Sequence, residues 1–123
     1  MLFKTVDAVT MRVPDLDAGI AFYAERLGHR VIWRNDEVGQ IGLALSESDT
    51  EIVLTTRLDT EPNWLVDDVR DAVNRFCAAG GEVVSPPAEI PVGRVAVVRD
   101  PFGNPLVLVD LSKGRYGSAP ADD

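Results

Sequence analysis

One cysteine, one histidine and a shortage of basic residues remove several kinds of chemistry before any motif is read. Cys77 alone cannot close an internal disulfide, which suits a reducing compartment. Flanked by Phe76, Ala78 and Ala79 in a helical pattern, it is expected to be a buried, inert thiol. Ser–His–Asp catalysis would rest wholly on His29, beside a helix end where histidine commonly serves as a cap. Twelve Lys and Arg against twenty Asp and Glu leave a net charge of −8, the wrong sign for a nucleic-acid partner. An acidic surface would suit a cationic small molecule, or simply a soluble protein. No apolar run approaches the roughly 20 residues that span a bilayer. The first seven residues lack the basic and apolar regions of a secretory signal. A cytoplasmic protein without a membrane partner is the expectation. No Gly-rich phosphate loop, nucleophile elbow or paired-cysteine motif is present.

What remains is 123 residues, 46% of them hydrophobic, enough for one compact domain. Residues 6–13 alternate, with Val9, Met11 and Val13 on one face and Ala8, Thr10 and Arg12 on the other, as in a half-buried strand. Pro14 ends it, and Asp15 stands where a helix N-cap is wanted. Leu16, Ile20, Tyr23 and Leu27 then recur at helical spacing as one apolar stripe. Ala18, Ala21 and Phe22 lie off it, so this helix could pack on two sides. Gly28 supplies the stop. Strands follow at 30–34, 40–45 and 51–57. The second half repeats the order. A strand covers 62–66, Asp68 caps a helix striped by Val69, Val73 and Phe76, and Gly80-Gly81 ends it. A short strand at 82–85 is broken by Pro86-Pro87. Strands at 92–99 and 106–111 flank a turn at 100–104. From 112 to 123 periodicity is lost, which reads as an exposed tail whose start Tyr116 could pin.

The halves superpose without a gap from Ala8 on Glu61 to Asp15 on Asp68, an offset of 53, and Val53 falls on Val107, an offset of 54. An internal repeat outweighs local propensity in deciding the fold, because neither half alone has an adequate core.

Val13-Pro14-Asp15-Leu16, Ala21-Phe22-Tyr23 and Leu27-Gly28, answered by Val66-Asp67-Asp68-Val69, Ala79-Gly80-Gly81 and the stretch Arg99 to Leu106, resemble the vicinal oxygen chelate superfamily, which includes glyoxalases, bleomycin-resistance proteins and extradiol dioxygenases. The likeness covers about residues 6 to 111. It implies an α+β fold of two βαβββ modules, at about 6–58 and 61–111, forming an open cup with the helices outside. It also implies metal-ligand positions on the first and last strands of each module, which here hold Ala8, Val53, Glu61 and Val107. A catalytic metal wants about three protein donors, and only Glu61 can donate. Neither metal nor other cofactor is therefore expected.

Alternation independently leaves Thr10, Arg12, Thr55 and Arg57 for the cup. With Trp33, Glu61, Asn63 and Val107 they form the candidate ligand-binding set, and Leu65 and Val109 share the second module's side. Either arginine could pair with a ligand carboxylate or with Glu61, or could balance carboxylates at a rim. Glu61 could equally be a solvated carboxylate at a strand entrance. Trp64 is expected in the core; the side faced by Trp33 is open. Two functions stay in view. One is metal-independent binding of a drug or metabolite, resembling bleomycin-resistance sequestration and implying a homodimer. The other is a metal-free isomerase or lyase with Glu61 as general base.

Overall fold

The computed structural model describes residues 1–114; Tyr116 and most of the expected tail lie outside them. Strand β1 (Thr5–Arg12) leads to helix α1 (Leu16–Gly19), a π-helical segment (Ile20–Arg26), and strands β2 (Val31–Asn35), β3 (Gln40–Leu43) and β4 (Glu51–Thr55). The same order returns as β5 (Glu61–Leu65), α2 (Val69–Ala78), β6 (Glu82–Ile90), β7 (Gly93–Arg99) and β8 (Pro105–Asp110). These are the two βαβββ modules that the repeat predicts. They correspond to two compact units, Asp7–Pro62 and, among the described residues, Met1–Val6 with 63–114. Among the described residues no helix is long and apolar enough to cross a membrane.

In the first module β1 runs parallel to β4, and β3 lies antiparallel to both β4 and β2. Val13, Leu16, Ile41, Leu43 and Leu54 form its core, joined by Met11, Ile20, Tyr23 and Ile52. Met11 and Val13 thus face the helix. Asp15 caps α1, its carboxylate accepting the Ala18 N–H at 2.7 Å. Gly19 is buried because any side chain there would run into Leu54 and Val13, so the helix sits close on the sheet. Its winding then widens: the Leu27 N–H donates to the Phe22 carbonyl and the His29 N–H to the Tyr23 carbonyl, each at 3.1 Å. Gly28, at φ 85°, turns the chain away. Leu27 departs from the expected stripe. It lies beyond the last π-helical turn and is 54% exposed. Phe22 is also exposed, with Tyr23 edge-on to it.

In the second module β5 is parallel to β8, and β7 is antiparallel to β8 and β6. Val66, Val69, Ala72, Val73, Ala96, Val98 and Leu108 make the core. Trp64 packs against it from the helix side of its strand, as alternation predicts, and stacks on Phe3 with ring centroids 5.0 Å apart. The contribution of Leu2 and Phe3 has no periodic signal in the sequence. Asp68 caps α2 by accepting the Asp71 N–H at 2.9 Å. Two expectations are corrected here. Cys77 is exposed, because at 100° per residue it falls to one side of the stripe of Val69, Val73 and Phe76. The prolines do not break the chain: β6 runs through Pro86 and Pro87 with register shifts on either side of Ser85. It pairs along one side with β7, and such a strand tolerates residues that lack an N–H.

Candidate functional site

Aligned partners on neighbouring strands share a face. In the first module Thr10 is opposite Val53, Val53 opposite Gly42, and Gly42 opposite Trp33. These four form a row on the face turned away from the helix, which settles the side of Trp33. A second row holds Arg12, Thr55 and Gln40, and a third Ala8 and Glu51. Trp33 reaches this position because Gly42 has no side chain; a Cβ there would strike the indole. An isolated glycine within a strand marks just such a close approach. The indole N–H donates to the Glu51 carboxylate at 2.8 Å, and the ring is 9% exposed.

The two threonine hydroxyls of this face are committed to the chain itself. The Thr10 hydroxyl donates to the Asp59 carbonyl at 2.6 Å and lies 3.2 Å from the Glu61 N–H, which donates to it. Thr10 therefore ties β1 to the segment entering β5. The Thr55 hydroxyl oxygen accepts the N–H groups of Arg57 and Leu58, each at 3.2 Å. Thr10 and Thr55 are 2% and 0% exposed. Arg12 forms an exposed ion pair with Asp59 at 3.5 Å, a type worth little in water. Burial first, and the neighbouring Asp59 carboxylate second, push the Glu61 carboxyl above its ordinary range.

Arg57 does not join this group. Strand β4 ends at Thr55, so alternation no longer governs Arg57. Its side chain lies over Gly39 and lines an open depression of about 380 Å³ with Pro14, Asp15, Leu16, Asp17, Arg34, Asp36 and Thr56. His29 is also elsewhere, its Nδ1 3.1 Å from the Ala44 carbonyl oxygen. Arg34 within the depression is held by Asp36 and Asp17, and the Asp36 hydrogen bond raises its pKa.

Asn63 and Val107 belong to the second module, where they are partners across β5 and β8. Val107 is opposite Val97. The next row on the same face holds Leu65, Val109 and Val95. These two rows are aliphatic except for Ser85, opposite Val97, and the Asn63 amide, whose Oδ1 is sealed from solvent and has no partner among the described residues; the row beyond holds Arg99 and Glu82, paired with each other at 2.7 Å. Glu51, Gly42, Val95 and Val97 were not singled out in the sequence. Of these only Gly42 carries a readable signal, a glycine inside a strand pattern.

The sequence model of the glyoxalase-like domain matches residues 8–109. The chain belongs to the glyoxalase-like domain family. It is 32% identical over 128 aligned positions to an uncharacterized protein of Pseudomonas aeruginosa, PA2024, with 90% of this chain and 89% of that one covered. Its fold matches that of methylmalonyl-CoA epimerase from Mycobacterium tuberculosis at a TM-score of 0.71 and 22% identity, over 89% of both chains. It matches a variant of Streptomyces coelicolor methylmalonyl-CoA epimerase in complex with 2-nitronate-propionyl-CoA at 0.69 and 21% identity, over 88% of this chain and 97% of that one.

The superfamily's metal does not fit the residues at the expected ligand positions. Ala8, Val53 and Val107 offer only hydrocarbon, and they are 4%, 7% and 8% exposed. Among the described residues no group of three His, Cys, Asp or Glu side chains is placed to hold a metal ion.

Proposed function

We propose that this glyoxalase-like chain binds a small organic molecule without a metal, on the sheet faces turned away from its helices. The observation that carries the reading is the hydrocarbon at Ala8, Val53 and Val107. Apolar lining with a few placed polar groups is the ordinary make-up of a small-molecule site. On this reading Trp33 gives a flat wall in the first module, where Arg12 and Glu61 give orientation and Thr10 and Thr55 shape the wall rather than reach the ligand, and Asn63 gives orientation in the second. Sequestration of a drug or metabolite in a homodimer, after the manner of bleomycin-resistance proteins, belongs to the same proposal.

One observation favours a second reading, a metal-free isomerase or lyase. The raised pKa of Glu61 brings this carboxylate nearer to what a general base needs at neutral pH. The fold is also shared with enzymes named as epimerases.

A thermal-shift screen with divalent metals, bleomycin-type and other drugs, and small carboxylic acids tests the proposal. A ligand specific to the native state stabilises it by about 2.7 kcal/mol at a hundredfold excess over Kd. A shift with an organic compound and none with metals is the expected result; a reproducible shift with nickel, zinc or manganese would overturn it. Turnover of the bound compound, lost in Glu61→Gln, would move the reading to the enzyme.

A further inference from the structure

Thr10 and Asn63 occupy the same position of the repeat, 53 residues apart. Each is opposite the valine at a superfamily ligand position, Val53 for Thr10 and Val107 for Asn63. Their surroundings differ for a traceable reason. In the first module the chain leaving β4 returns past β1 and satisfies the Thr10 hydroxyl through Asp59 and Glu61. As far as residue 114, the corresponding chain leaving β8 takes another course. Ser112 folds back on Asp110, its hydroxyl donating at 2.8 Å, and the Lys113 N–H donates to the Val92 carbonyl at 2.8 Å. Asn63 is left with an acceptor that nothing in the described chain meets.

A buried acceptor without a donor is costly, and the cost is removed by whatever brings a donor to it. Around Asn63 the face is mostly aliphatic: Val97 and Val107 in its own row, with Ser85 at the far end, and Leu65, Val95 and Val109 in the next. Neither of these rows carries a charged side chain, and Arg99 and Glu82 in the row beyond Val97 are paired with each other at 2.7 Å, so the contact offered beside Asn63 is mainly hydrocarbon. Rotation about the terminal amide torsion, which is broad and soft, turns Oδ1 toward an incoming group.

Resting on the small-molecule reading above, we infer that the second module selects a largely apolar ligand by one O–H or N–H donor directed at Asn63 Oδ1. The valines supply contact area and Asn63 supplies the choice. Sites built to hydrogen-bond a ligand group reject the analogue lacking it far more strongly than apolar contact alone does.

The probes are naphthol and its methyl ether, which share a ring but differ in the donor. Binding to the full chain is measured by calorimetry and by backbone amide shifts at Val107 and Val97. The expected result is that naphthol binds about tenfold more tightly, with shifts at those valines. In Asn63→Leu the preference disappears while the ether still binds, which shows that the variant is folded. The unliganded Asn63→Leu protein melts higher than wild type, because the orphan acceptor is gone; a purely structural amide would give a lower midpoint. Equal binding of both probes to wild type would overturn the inference and leave the small-molecule reading standing. Binding of neither would overturn the reading of this face, and the inference with it.

Discussion

The two modules share a register and differ in what they do with it. Position for position, Thr10 with Val53 is answered by Asn63 with Val107, and the capping Asp15 by Asp68. Gly39 beside Thr56 is answered by Gly93 beside Asp110, and in both pairs the glycine leaves no room for a Cβ. The first module fills this frame with threonine hydroxyls bonded to its own backbone. The second leaves, among the described residues, a largely aliphatic pair of rows with one unpartnered amide oxygen. The helices differ too. The first holds a single α-helical stretch of four residues before its winding widens, whereas α2 runs for ten. Duplication preserves the backbone solution; the side chains at equivalent places are free to take on separate work.

The sharpest way to break that comparison is at Asp110. Its carboxylate is 1% exposed and accepts from the N–H groups of Val69, Arg94 and Ser112 and from the Ser112 hydroxyl. It therefore pins the first turn of α2 to the last strand of its own module. Thr56, its counterpart, makes only a 3.5 Å bond from its hydroxyl to the Gly39 carbonyl. Asp110→Ala strands one buried and three part-buried donors and should cost about 3 kcal/mol in urea unfolding, against about 1 kcal/mol for Thr56→Ala. Equal losses would mean that the two modules are braced alike.

Next comes Gly42→Val. The branched side chain must displace the Trp33 indole from its place over β3 and break its bond to Glu51. An overpacked site of this kind costs about 2 kcal/mol. Tryptophan emission should shift to the red as the ring leaves its buried position. Unchanged emission would show that Trp33 does not lie across Gly42.

These pairs also show where the sequence was legible. The repeat, both aspartate caps, the turn built on Asp100 and the sides of Met11, Trp64 and Val53 all follow from local periodicity and turn chemistry, which act over a few residues. Leu27 and Cys77 did not follow, because each lies at the margin of a stripe, where a small change of winding decides burial. Pro86 and Pro87 were misread because their tolerance depends on β6 pairing along one side only, a property of strand order rather than of the dipeptide. Asp110 gave no signal: a lone aspartate ending an apolar strand becomes a staple only when the loop before α2 and the start of β7 arrive beside it. Of the candidate site, Thr10, Arg12, Trp33, Thr55 and Glu61 do gather in one module and Asn63 with Val107 in the other, while Arg57 follows the end of its strand away from the first group.

A smaller effect sharpens the contrast through its sign. Thr10→Val removes a hydroxyl that ties β1 to the Asp59–Glu61 segment and should destabilise by about 1 kcal/mol. Asn63→Leu, at the equivalent place, removes an acceptor with no partner among the described residues and should stabilise by a similar amount. Loss of stability in both variants would mean that the two positions are satisfied alike.

The smallest expected effect is a pair of opposed pH dependences. Burial alone would raise the Asp110 carboxyl, but the donors from Val69, Ser112 and Arg94 outweigh it and hold the group below its ordinary value. Its stabilisation is thus complete above the unfolded pKa of about 3.9 and is lost as pH falls through the lower folded value. Glu61 runs the other way. Its folded pKa is raised, so its penalty is absent below the unfolded value of about 4.3 and grows as pH rises through the folded one. Glu61 is partly exposed, and solvent screening keeps its share small. Melting midpoints measured across the acid range should fall more steeply toward low pH in wild type than in Asp110→Asn, whereas Glu61→Gln should gain on wild type as the pH rises above that of the unfolded glutamate. A wild-type advantage over Glu61→Gln near neutrality would mean that the carboxylate is stabilised as an anion in the fold, which would remove the ground for its use as a base.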